Sequence, residues 1–217
     1  MKTTKISPTR ILLEFPTKKE LTLSMFRISE YFESDSDLIR GRKFTMDEFI
    51  DAYSDEDGEL KKLPGGYTYF AFWDGYNVPK IEYNNFLKLY TNELSQRELV
   101  ILDAVKDLPD NGYIIACEEG DDLTLKHETS HGIFFENEEY RNQAIEIVKS
   151  IPGEVQESFI QDLVEMGYNQ DVMVDEMHAY LVAYDPEEQE ECFPSLKEEM
   201  IAEYRDKLQS LFTEYNK

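Results

Sequence analysis

The chain has 217 residues and carries 46 Asp+Glu against 22 Lys+Arg, a formal net charge of −24. That acidity excludes a surface built to hold a nucleic-acid backbone, which recruits Lys and Arg, and it disfavours docking on anionic lipid. With 41% hydrophobic and 13% aromatic residues, the chain has the material for a packed core, and its length suits one domain of ordinary size. No apolar run approaches the ~18 residues of a membrane span. The basic start, MKTTKISPTRILLEF, meets Glu14 and Pro16 too early for a secretion signal, so a cytoplasmic location is expected. Two cysteines, Cys117 and Cys192, are too few for a disulfide framework and agree with a reducing compartment.

In chain order, Thr9 to Phe15 (TRILLEF) predicts a strand that Pro16 ends. Thr17 then caps a helix to about Phe32, with Leu21, Met25, Ile28 and Phe32 on one face. A short helix follows at Thr45–Tyr53, where Thr45 and Glu48 have capping-box spacing. The stretch from Asp55 to Lys80 reads as irregular. It mixes glycines and prolines with Tyr67, Tyr69, Phe70, Phe72, Trp73 and Tyr76. Two roles are open for these aromatics: pinning the segment to the core, or lining a substrate wall. Ser95 opens a helix to about Leu108, again with a box to Glu98.

Tyr113 to Cys117 (YIIAC) is the clearest strand, apolar and β-prone. A turn at Glu118–Asp122 leads to a helix from about Leu123, with the next break at Pro152–Gly153. Helices are expected to about Met166 and around Asp175–Tyr184, separated by a turn at Gly167. Pro186 and the acidic run Glu187–Glu191 read as a solvated loop, before a last helix from about Ser195 to Tyr215.

Three histidines occur, and two of them bracket a glutamate in HETSH, residues 127 to 131. On a helix, positions i and i+4 lie on one face a turn apart, so His127 and His131 can reach one metal ion. Glu128 falls beside that ion and can take a proton from a water the metal activates. A random shuffle of this composition contains HExxH in roughly 0.4% of cases, so the pattern outweighs a mere helix-surface pair of histidines.

The setting strengthens it: the motif lies on an expected helix just after an apolar strand. Here the sequence resembles the zincin family of zinc metallopeptidases. Thr124, Leu125, Thr129, Ser130, Gly132 and Ile133 meet the wider family pattern, and Lys126 occupies the position where any residue is allowed. The resemblance implies that the strand before the active helix, here YIIAC, is the sheet edge along which an extended substrate lies.

A catalytic zinc needs a third protein ligand and an open position. Downstream, VDEMHAYLVAY offers Asp175, Glu176 and His178. Glu176 with Ala179 looks like the ExxA pattern of the gluzincin branch, in which the Glu binds metal and the small Ala lets two helices approach. Glu176 is therefore the first choice, with His178 and Asp175 as alternatives. Residues two apart on a helix point ~200° apart, so Glu176 and His178 should not share one metal. Asp171 or Asp175 is a candidate to orient a ligand histidine, and Tyr180 or Tyr184 to hydrogen-bond an oxyanion. The metzincin third histidine is absent, because Asn137 occupies its place, and no thermolysin-type NExxSD sequence occurs. The resemblance covers the two active-site helices rather than the whole chain.

The expected fold is therefore α+β: a helix-rich zincin-like domain with a small mixed sheet packed against the HExxH helix. It forms one domain over 1–217, with an α/β part to about 110, active-site helices at about 113–185 and a C-terminal helix at about 195–215. The expected function is a zinc-dependent metallohydrolase, a peptidase acting on a peptide or protein substrate. His127, His131 and Glu176 would hold Zn2+, and Glu128 would be the general base. The alternatives are an inactive zincin-like interaction or regulatory module and a metal-dependent hydrolase of non-peptide substrates.

Overall fold

The computed structural model describes residues 1–34, 36–52 and 73–216. These residues form two compact units, Met1–Asp121 and Asp122–Lys217, each with its own hydrophobic core. The class is α+β, rich in helix, with one small mixed sheet.

The first unit is built on that sheet. Strands β1 (Lys2–Lys5), β2 (Arg10–Phe15), β3 (Gly75–Pro79) and β4 (Tyr113–Glu118) take the order β1-β2-β4-β3. β2 and β4 run parallel, with Ile11 opposite Ile114 and Leu13 opposite Ala116. β1 and β3 flank them antiparallel. A parallel pair needs a long crossover, and helices α1 (Lys18–Glu33), α2 (Met46–Ala52), α3 (Lys80–Tyr90) and α4 (Gln96–Val105) lie between the two strands in sequence. Helix α1 packs on the sheet through the expected apolar stripe of Leu21, Met25 and Ile28, all buried, and Thr17 caps it by accepting from Glu20 N–H.

The parallel pairing explains one correction. β4 is buried along five of its six residues, and it lies between β2 and β3 instead of at an edge. A near-continuous apolar run such as YIIAC marks a strand covered on both faces and paired on both sides. Among the described residues, the edges are β1 and β3. A second correction concerns the irregular stretch. Gly75–Pro79 is a strand, and Lys80–Tyr90 is a helix that sequence reasoning passed over. Trp73 packs against the core, and buried Tyr76 donates to Thr22 Oγ1 at 3.2 Å. Tyr67, Tyr69, Phe70 and Phe72 lie outside the described residues.

The second unit is helical: α5 (Asp122–Glu136), α6 (Glu138–Lys149), α7 (Gly153–Glu165), α8 (Met173–Ala183), α9 (Pro186–Cys192) and α10 (Glu198–Tyr215). Helix α8 is central and packs against α5, α6, α7 and α10. Two expectations change here. The helix begun at Asp122 stops before Asn137, whose side chain accepts from Tyr140 N–H and caps the start of α6. The acidic run is not a loop. Asp185 caps it in a capping box with Glu188, and Pro186 sits in the first turn, so Pro186–Cys192 is helical. Gly167 makes the expected turn after α7 at φ +99°, which a side chain would resist.

Candidate metal centre

The centre is made where α5 meets α8. Neither is a surface helix. α5 buries every residue from His127 to Ile133, and α8 buries every residue from Glu176 to Ala183. Among them is the small Ala179, fully covered. A helix wrapped on most sides can hold polar groups only where they find partners.

His127 and His131 do point to one place. Their Nε2 atoms lie 3.1 Å apart. Glu176 reaches the same place from α8, with Oε2 3.6 Å from His127 Nε2 and Oε1 3.6 Å from His131 Nε2. Ligands each ~2.1 Å from a tetrahedral zinc stand ~3.4 Å from one another, between these observed separations. Glu176 Oε2 is buried without a hydrogen-bond partner among the described residues. Left so, a buried charged oxygen costs about 1–3 kcal/mol or more, and a cation would relieve it. Donor type, spacing and the orphaned oxygen all fit a metal ion.

The other candidates are sorted by the same geometry. Asp175, partly buried, places Oδ1 3.0 Å from His131 Nδ1, on the side of the ring away from Glu176. It therefore contacts the back of a candidate ligand. His178 is fully buried and turned elsewhere, with Nδ1 3.3 Å from Asp175 Oδ1 and Nε2 2.6 Å from the Tyr140 hydroxyl. Among the described residues, those that converge on one point are His127, His131 and Glu176, without His178. Asp171 is exposed in a single 3-10 turn, Gln170–Val172, and takes no part. Glu128 is buried beside His131, and its charge acts on that ring and on Tyr168.

The electrostatics reflect crowded carboxylates. Burial opposes a charge on His131, but Asp175 and Glu176, with Glu128 behind them, override it and push the imidazole up to about 10. Burial likewise works against a charged Asp175, yet His131 and His178 hold its carboxyl well below the usual range. His178 itself is pushed down, by burial first and then by the charge of His131, against the pull of Asp175.

Aromatic groups complete the wall. The Tyr180 ring meets His127 edge-on at 4.6 Å, and its hydroxyl lies 2.8 Å from that of Tyr168. Burial and the neighbouring Glu176 push both phenols well above their ordinary value, so both stay protonated. Tyr184 packs on the Tyr180 ring at 5.0 Å. Sequence reasoning missed Tyr140 and Tyr168. No local pattern marks them, because each joins the cluster through the packing of separate helices. Comparison of the chain with protein-family models, with curated proteins and with solved structures finds no match.

Proposed function

We propose that the protein is a zinc-dependent metallohydrolase of zincin-like fold, acting on a peptide or protein substrate. The observation that carries this reading is the convergence of His127 Nε2, His131 Nε2 and a Glu176 carboxylate at zinc-ligand spacing, with Glu128 on the same helix. These three residues would hold the metal. When bound, zinc supplies a Lewis acid and makes a water acidic enough to lose its proton near neutral pH.

The chain's own groups do the rest. Glu128 takes the proton from the attacking water and passes it to the leaving amine. Tyr180, whose ring meets His127 and whose hydroxyl shares a hydrogen bond with that of Tyr168, would be the donor to the oxygen on which negative charge builds. Asp175 holds the back of His131.

The test begins with elemental analysis of purified, tag-free protein. About one zinc per chain is expected, and none in the His127→Ala/His131→Ala double variant. Hydrolysis of a broad peptide library then follows for wild type and Glu128→Gln. The variant should keep its zinc and lose activity by about 100-fold or more. Absence of zinc uptake by the wild type overturns the metal reading. Full zinc occupancy with undiminished hydrolysis in Glu128→Gln removes Glu128 from the chemistry. Full occupancy with no turnover on any peptide favours the inactive, partner-binding alternative.

A further inference from the structure

Asp175 stands between two histidines. Its Oδ1 lies 3.0 Å from His131 Nδ1 and 3.3 Å from His178 Nδ1. An ionised carboxylate can only accept, so both facing ring nitrogens carry hydrogen. The other nitrogen of His178 lies 2.6 Å from the hydroxyl of Tyr140, and both residues are fully buried. Burial pushes the Tyr140 phenol upward, so it stays protonated and donates.

The donor and acceptor rules then permit one direction only. Tyr140 O–H donates to His178 Nε2, and His178 Nδ1–H donates to Asp175, as does His131 Nδ1–H. This leaves Nε2 of His131 as the nitrogen facing His127 and Glu176.

We propose that Tyr140 and His178 are positioning residues for the metal centre, acting through Asp175 to lock the orientation and tautomer in which His131 presents Nε2 to a bound metal. The inference rests on the metal reading above. It assigns work to a buried histidine that does not converge on the metal position and to a tyrosine on a third helix. Space-filling alone does not account for the pair, because Phe and Leu fill volume without burying polar atoms. The rings are also steadied from the side: Phe134 stacks on His178 at 5.1 Å, and Tyr215 meets Tyr140 at 5.5 Å. Such contacts hold the two rings in place, and each hydrogen bond of the chain polarises the next.

The test compares zinc affinity, by competition with a chromophoric chelator, among wild type, Tyr140→Phe and Asp175→Asn. Alongside it, long-range 1H–15N spectra of the histidine rings are recorded on the metal-free proteins. Tyr140→Phe keeps the ring volume and removes only the hydroxyl. It should weaken zinc binding by about 3- to 10-fold, and Asp175→Asn by about 10- to 100-fold, with one zinc still bound at saturation. Tyr140→Phe should also shift the ring signals of His178 and, through Asp175, those of His131. A role in packing alone would lower the melting temperature while leaving affinity and the His131 signals in place, and that result overturns the proposal. If Asp175→Asn fails to fold, Tyr140→Phe decides. No zinc uptake by the wild type overturns the metal reading and this inference with it. Uptake by the wild type that Tyr140→Phe leaves unchanged overturns only the positioning role.

Discussion

A two-residue offset separates the candidate third ligand, Glu176, from His178, the residue proposed to support His131. Glu176 and His178 sit on one helix, and a helix turns ~200° over two residues. The structure directs Glu176 toward the paired histidines and His178 toward Asp175 and Tyr140. Substitution should separate the two roles. Glu176→Ala removes a donor atom and should weaken zinc binding by about 100-fold or more, as read by chelator competition. His178→Gln should retain one zinc per chain at saturation. Equal and complete loss of zinc in both variants would contradict the assignment of His178 to a supporting position.

Helix ends and helix contacts decide which side chains meet. Glu98 shows how much one residue can do at that level. Its carboxylate accepts from the Ser95 backbone N–H at 2.6 Å, closing the capping box of α4. The same carboxylate takes a two-pronged grip from Arg27 of α1 at 2.7 and 2.5 Å. The guanidinium in turn lies over the Tyr90 ring at 4.4 Å. Removing the carboxylate orphans a cap donor and takes from Arg27 its carboxylate partner, leaving the guanidinium the Glu93 carbonyl and the Tyr90 ring. Glu98→Ala should therefore cost about 3 kcal/mol in urea unfolding, whereas Ser95→Ala, which loses only the cap, should cost about 1 kcal/mol. Equal costs would mean that the ion pair contributes nothing. Capping also explains why α5 ends before Asn137 and why the run after Pro186 is a helix.

At the scale of the whole chain, every donor of the candidate centre belongs to the unit Asp122–Lys217. A ligand that binds only the folded state stabilises what it binds, by about 4 kcal/mol at a thousandfold excess over its Kd. Zinc should therefore slow amide exchange in α5 and α8 strongly, and in β2 and β4 of the other unit little. Hydrogen-exchange mass spectrometry reads this directly. Protection confined to Met1–Asp121 would place the metal elsewhere. Among the described residues, no helix is long and apolar enough to cross a membrane.

Much of the centre was legible in the linear order because its logic is local. The i, i+4 spacing of His127 and His131 places two imidazoles on one face wherever that segment is helical, and Glu128 comes with them. Glu176 is the first choice from sequence because, with Ala179, it resembles the ExxA pattern of the gluzincin branch; helix geometry adds only that Glu176 and His178 should not share one metal. The capping signals at Thr17 and Ser95 were readable for the same reason: a cap involves residues three apart. Asp185 carried the same signal, but the acidic composition around it drew a loop reading. What linear order left open depends on partners far apart in the chain. Whether YIIAC lies at an edge or between two strands depends on pairing with Arg10–Phe15 and Gly75–Pro79. The roles of Asp175, His178 and Tyr140 depend on how α5, α6 and α8 pack. Spacing can place side chains on one helix face, but only tertiary packing brings a phenol within 2.6 Å of an imidazole 38 residues away.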